Sequence, residues 1–184
     1  MDKEKKHIAI LGSTGSIGTQ ALEVIASLED VFEVEVLSAW NNASLLVQQA
    51  KKFKPNAVVI GDDTNYESVK TELFPLGIKV YTGKKSLESI VEMDTIDLVL
   101  TAMVGYSGLA PTIRAIQSGK EIALANKETL VVAGQYITGL AREKGVNILP
   151  VDSEHFFRLH PAQMSSPECG LIAVPALHPE PIAP

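Results

Sequence analysis

Cysteine is almost absent: Cys169 is the one thiol in 184 residues. It cannot close an internal disulfide, and such usage suits a reducing compartment. Positive charge is also scarce, with 16 Lys and Arg against 22 Asp and Glu and a net charge of −6. That balance leaves no basic field for nucleic acid or for an anionic membrane surface. No apolar run approaches the roughly 20 residues of a membrane span. The opening Met1-Asp2-Lys3-Glu4-Lys5-Lys6 carries no apolar stretch ahead of the first strand and reads as a solvated tail, not a signal peptide. A cytoplasmic chain that binds neither nucleic acid nor membrane is the expectation. With 46% apolar and 21% charged residues, the chain is ordinary for a globular protein and long enough for one good core plus an appendage.

What the sequence does have begins at His7-Ile8-Ala9-Ile10-Leu11, an apolar run of strand length. Gly12-Ser13-Thr14-Gly15-Ser16-Ile17-Gly18 follows at once, and then Ala21, Leu22 and Ile25 recur at helical spacing. Strand, glycine turn and helix form the context that a dinucleotide-binding fingerprint requires. The spacing here is G-x-x-G-x-x-G, not the commoner G-x-G-x-x-G. The physics is shared: backbone N–H groups approach a pyrophosphate, and the helix N-terminus adds partial positive charge. Ser13, Thr14 and Ser16 read as further phosphate donors. The competing reading is a glycine turn that serves the fold alone.

Strand and helix then alternate. Residues 32–39 alternate as a second strand, and Leu45, Leu46, Gln49 and Ala50 mark a helix stopped before Pro55. Ala57 to Gly61 is a continuous apolar run, as in a strand covered on both faces. A helix over 64–74, a strand at 78–81 and a short helix capped by Ser86 follow. Next come a strand at 96–101, a helix with Pro111 in its first turn and Gly119 past its end, and a strand at 122–125. A helix from Glu128 to Lys144, closed by Gly145, leads to a strand at 146–151. The pattern predicts a doubly wound α/β domain over residues 1–150, with a mainly parallel sheet and helices on both faces. Residues 151–184 stand apart. Six of the ten prolines lie after His155, and no periodicity accompanies them, so an irregular tail is expected.

Ligands of such folds bind at the carboxyl ends of the strands. The second strand ends in Ser38-Ala39-Trp40-Asn41-Asn42, without the Asp or Glu that would hold a ribose 2′-hydroxyl. Its absence leans toward a 2′-phosphate, although no Arg is there either. Asn41 and Asn42 either contact the cofactor or begin the next helix. Trp40 either covers an adenine or is half-buried core. Thr101 to Gly105, small and apolar, either approaches a nicotinamide or closes the core, and core closure alone explains it. Asn126-Lys127-Glu128 starts a helix, which accounts for Glu128 and Asn126. Lys127 is unfavourable against the helix dipole, and an anionic or carbonyl substrate would justify it. Asp152 and Glu154 lie two apart, so an extended backbone points both carboxylates one way. They suit a hard divalent cation, or simply a polar loop with a capping Asp. His155, His160 and His178 lack ligand spacing and read as solvated, and Cys169 as inert.

The stretches L-G-S-T-G-S-I-G at 11–18, A-N-K-E-T-L at 125–130 and P-V-D-S-E-H at 150–155 occur in this order. Together they closely resemble the 1-deoxy-D-xylulose 5-phosphate reductoisomerase family, over about residues 7–155. The resemblance implies a Rossmann-like fold, NADPH, and a divalent cation (Mn²⁺, Mg²⁺ or Co²⁺). It implies rearrangement of the phosphorylated sugar 1-deoxy-D-xylulose 5-phosphate and reduction of the resulting aldehyde to 2-C-methyl-D-erythritol 4-phosphate. By position, Gly12, Thr14, Gly15, Ser16 and Ile17 would meet NADPH in the turn, Asn41 and Asn42 its adenosine end, and Asn126 and Glu128 would also meet NADPH. Lys127, Ser153 and Glu154 would meet the substrate, and Asp152 and Glu154 the metal, with Lys127, Asp152 and Glu154 catalytic. Trp40 departs from the small residue usual in the family, and Asn41 from a basic one. The larger departure follows His155. There the family continues into a catalytic domain with a third metal carboxylate, the phosphate site, a closing loop and the rest of a homodimer surface. The alternative implied is an NADPH-binding fragment without catalytic competence.

Overall fold

The computed structural model describes residues 5–151. Seven strands form one sheet in the order β4-β3-β2-β1-β5-β6-β7, and every neighbouring pair is parallel. The strands are β1 (Lys6–Leu11), β2 (Phe32–Ala39), β3 (Ala57–Ile60), β4 (Lys79–Thr82), β5 (Leu98–Thr101), β6 (Glu121–Leu124) and β7 (Ile148–Pro150). The helices are α1 (Ser16–Ser27), α2 (Ala43–Phe53), α3 (Tyr66–Leu73), α4 (Gly83–Ile90), α5 (Leu109–Gln117) and α6 (Lys127–Lys144). This is the doubly wound, Rossmann-like α/β architecture expected from the alternation of strands and helices.

Its two faces are covered by different helices. Ala21, Leu22 and Ile25 of α1, Leu46 and Val47 of α2, and Val69 and Leu73 of α3 pack on one face with Ile8, Ile10 and Val58. Leu87 and Ile90 of α4, Ala115 and Ile116 of α5, and Ile137 and Ala141 of α6 pack on the other with Leu11, Val59 and Ile122. Burial on both faces explains why β3 and β5 read as unbroken apolar runs. The chain winds outward from β1 to β4, then returns to the opposite side of β1 with β5. The connections therefore part at the carboxyl ends of β1 and β5, the switch point where ligands of this fold bind.

Most boundaries fall within two residues of expectation, and Gly119 and Gly145 close α5 and α6. One expectation is corrected. Ser86 does not cap α4 but lies inside it, because Gly83, at φ +82°, turns the chain into the helix directly from β4. Thr82 is held there by donating its hydroxyl to Asp63 Oδ1 at 2.6 Å.

The amino edge of the sheet has its own polar knot. The β1–β2 register shifts between Ile8 and Ala9, which pair with Val34 and Val36, so Glu35 is skipped as a bulge. Glu35 is buried, and its Oε1 accepts from Asn56 Nδ2 at 3.0 Å and Thr95 Oγ1 at 2.7 Å. His7 Nδ1 lies 3.6 Å from its other oxygen. Glu35→Ala leaves two donors without an acceptor and is expected to lower the free energy of unfolding by about 1–3 kcal/mol in urea. Glu33→Ala, on the exposed neighbouring position, should change it by less than about 0.5 kcal/mol.

Candidate functional site

Two of the three turn glycines sit where a side chain does not fit. Gly12 has φ +86°, and a Cβ there would lie 2.8 Å from the carbonyl oxygen of Ala102 at the end of β5. At Gly18 a Cβ would strike the backbone of Gly12 and Ser13, so its absence lets α1 lie close over the turn. Gly15 is exposed and precedes α1 in extended conformation. No side chain caps α1, and no acid stands in its first turn. The first-turn N–H groups of a helix have no partner within it. At this N-terminus they meet neither cap nor counter-charge, and an anion would complete them.

The turn is held from beneath. Gly12 N–H donates to Ser38 Oγ at 3.1 Å, and Ser13 N–H to the Ser38 carbonyl at 2.8 Å. Ser13 is fully buried, and its hydroxyl donates to Gln49 Oε1 at 2.7 Å while Gln49 Nε2 donates back to the Ser13 carbonyl at 2.9 Å. The expectation that Ser13 offers a donor to phosphate is therefore corrected: its hydroxyl is spent on α2. Thr14, Ser16 and Ile17 remain on the accessible side, with Ser16 exposed and Thr14 and Ile17 half-buried.

The opposite wall is built by the ends of β5 and β6. Ala102 N–H donates to the Leu11 carbonyl at 2.9 Å, and Ala125 N–H to that of Thr101 at 3.1 Å. Asn126 caps α6, accepting from Thr129 N–H at 3.0 Å. Its Nδ2 donates to the carbonyls of Met103 at 2.7 Å and Gly105 at 2.6 Å. The Asn126 side chain thus ties the β5 loop to α6. Val104 does not close the core as its apolar character suggested; it is 86% exposed beside that tie.

At the end of β2, Asn42 caps α2, accepting from Leu45 N–H at 3.2 Å, while Asn41 is exposed. The helix-start reading of Asn42 is thereby realised. Trp40 lies against Gly61 at the end of β3 and is 47% exposed. Asp62 accepts from the hydroxyl of Thr64 at 2.7 Å and from its N–H at 3.0 Å, and these bonds, the hydroxyl foremost, hold its carboxyl below the usual range. A groove of about 510 Å³ runs from Asn41 and Asn42 along α2 and α3 to Lys51 and Glu72.

Lys127 and Glu128 form the first turn of α6. Their side chains, and with them the expected substrate and cofactor contacts, fall outside the description. Asp152, Ser153, Glu154, His155, His160, Cys169 and His178 lie outside the described residues, as does the expected irregular tail. Among the described residues no group of three or more His, Cys, Asp or Glu side chains forms a metal site, and no helix is long and apolar enough to cross a membrane.

The sequence profile of 1-deoxy-D-xylulose 5-phosphate reductoisomerase matches residues 8–134. The chain belongs to this family. The reductoisomerase of Phocaeicola vulgatus is 59% identical over 151 residues, which are 82% of this chain and 40% of that protein. The structure of the Zymomonas mobilis reductoisomerase in complex with NADPH is 37% identical with a TM-score of 0.78, and the match covers 83% of this chain and 40% of that one. A reductoisomerase structure in complex with NADPH, fosmidomycin and magnesium is 33% identical with a TM-score of 0.75, covering 79% and 36%. The chain therefore spans about 40% of the length of these reductoisomerases.

Two residues of the reductoisomerase turn, Ser38 and Gln49, went unrecognised as parts of the site. Both left a signal: a serine in a buried strand, and a glutamine on the apolar stripe of α2. Gln49→Leu strands the Ser13 carbonyl in the interior and leaves its hydroxyl only the Ser38 carbonyl, at 3.2 Å. It is expected to cost about 1–3 kcal/mol of stability in urea denaturation. Thr14→Ala, on the open side of the turn, should leave the midpoint unchanged.

Proposed function

We propose that this chain is the NADPH-binding part of a 1-deoxy-D-xylulose 5-phosphate reductoisomerase. With a divalent cation (Mn²⁺, Mg²⁺ or Co²⁺), that enzyme rearranges its phosphorylated sugar and reduces the product to 2-C-methyl-D-erythritol 4-phosphate. The observation that carries the reading is the uncapped N-terminus of α1, set behind Gly12 and Gly18 at the switch point of a sheet that belongs to this family. The cradle fits a dinucleotide. Backbone N–H groups are free at the helix start, side chains are excluded where the turn approaches β5, and Thr14 and Ser16 stand on the open side. NADPH and magnesium accompany the reductoisomerase structures this chain resembles.

In this reading Gly12, Thr14, Gly15, Ser16 and Ile17 bind and orient the pyrophosphate by backbone N–H and hydroxyl donors. Asn41 and Asn42 line the adenosine end. Asn126 ties the β5 loop to α6, and in the first turn of that helix Glu128 would meet the cofactor and Lys127 the substrate. Lys127 donates to substrate oxygen where negative charge develops. NADPH, when bound, supplies hydride to a carbonyl carbon. Asp152 and Glu154 provide the hard oxygen donors that Mg²⁺ or Mn²⁺ prefers, and Ser153 a further substrate contact. Residues 1–150 form the cofactor domain and 151–184 the start of the catalytic part, in a cytoplasmic protein.

A second reading, binding without turnover, is favoured by the 40% span of the relatives. Fluorescence titration of the 184-residue chain is expected to show saturable NADPH binding that is tighter than for NADH; tighter NADH binding overturns the cofactor assignment. With 1-deoxy-D-xylulose 5-phosphate and Mn²⁺ added, no NADPH oxidation by this polypeptide is expected. Sustained oxidation would sink the second reading and establish full catalytic competence.

A further inference from the structure

The end of β2 offers no basic side chain, although the proposed cofactor carries a 2′-phosphate dianion there. The fold brings one in from elsewhere. Trp40, Gly61 and Lys84 follow β2, β3 and β4, three neighbouring strands, so all three stand on the carboxyl edge. The peptide of Trp40 is pinned, because Gly61 N–H donates to the Ala39 carbonyl at 2.8 Å and Asp62 N–H to that of Trp40 at 2.7 Å. Gly61 is where the ring rests: a Cβ would lie 2.8 Å from Trp40 Cδ2 and 2.9 Å from Cζ3. The indole is thereby fixed as a shelf, with nearly half its surface open to solvent. Lys84, in the first turn of α4, holds its ammonium 5.9 Å from the ring centroid. Among the described residues it makes no ion pair.

We propose that Trp40 and Lys84 together form the adenosine 2′-phosphate end of the cofactor site. Trp40 stacks the adenine, and Lys84 supplies the cation that selects a 2′-phosphate over a 2′-hydroxyl. The inference rests on the NADPH reading above. An indole face takes a purine by stacking, with an adjacent cation adding to the attraction. The charges around the shelf make Lys84 decisive. Asp62 and Asp63 stand on the same edge, Asp62 held ionised by Thr64 and Asp63 bound by the Thr82 hydroxyl. Both repel a dianion, and a phosphate is accepted only with Lys84 beside it. Lys85 follows on α4, but among the described residues it is the Lys84 ammonium that lies over the ring.

The test uses the whole chain and two probes that lack nicotinamide, adenosine 2′,5′-bisphosphate and 5′-AMP. Each is titrated by calorimetry and by tryptophan fluorescence; Trp40 is the one tryptophan in the sequence, so every fluorescence change reports on the shelf. The bisphosphate is expected to quench Trp40 and to bind roughly tenfold or more tightly than AMP, the scale of one charge-assisted phosphate contact. Lys84→Met should bring that ratio close to one, with the bisphosphate losing far more affinity than AMP. Trp40→Leu should weaken both probes together. An unchanged ratio in Lys84→Met overturns the role of the lysine, and calorimetric binding with no change in Trp40 fluorescence overturns the shelf. Failure of NADPH itself to bind the unmodified chain by calorimetry overturns the cofactor reading and this inference with it.

Discussion

The carboxyl edge of this domain depends on how closely the turn after β1 may approach the end of β5. Ala102 donates to Leu11 across the two strands, and its carbonyl stands where any side chain on Gly12 would be. That contact sets the width of the crevice at the switch point. A methyl group at Gly12 would push β5 away, and with it the loop that Asn126 ties to α6. Gly18 does the same on the other flank by letting α1 settle over Ser13. The free N–H groups of α1 follow from Gly15 at its N-cap, which has no side chain to accept from them.

The domain keeps its polar interior at two separate places. At the amino edge, Glu35 gathers Asn56, Thr95 and His7 around a bulge in β2. At the carboxyl edge, Ser13, Ser38 and Gln49 form a second buried set beneath the glycine turn. The first lies far from any proposed chemistry and stabilises the sheet. The second fixes the backbone of the glycine turn. Both sets stabilise the domain from opposite ends of the same strands, and the second also lies beneath the turn proposed to meet the cofactor.

Much of the fold was legible because each segment agreed with its neighbours: apolar runs for strands buried on both faces, glycines after α5 and α6, and Asn126 ahead of α6. Ser86 misled because a good capping residue stood inside a helix that Gly83 had already begun. Ser13 misled because its hydroxyl turns inward to a partner 36 positions away, a pairing that local reading does not see. For Trp40 the local sequence does not separate core from ligand contact, because the ring rests on Gly61 of a neighbouring strand's end. Lys84 carried no local signal at all. It reaches the β2 end only because β4, β3 and β2 are neighbours in the sheet.

The position of β1 also governs the order in which the domain can assemble. It is a central strand whose partner on one side, β2, follows within a few tens of residues, while on the other side Ile8 waits for Leu98. A parallel sheet has no hairpins to close early, and distant pairings form late. As the chain leaves the ribosome, β1 to β4 with α1 to α3 make a half-sheet covered on one face only. Its open border is the apolar Ile8-Ala9-Ile10-Leu11. Until β5 emerges, that border is an edge able to pair with another nascent chain. The strand that anchors the finished domain is therefore its most vulnerable one during synthesis.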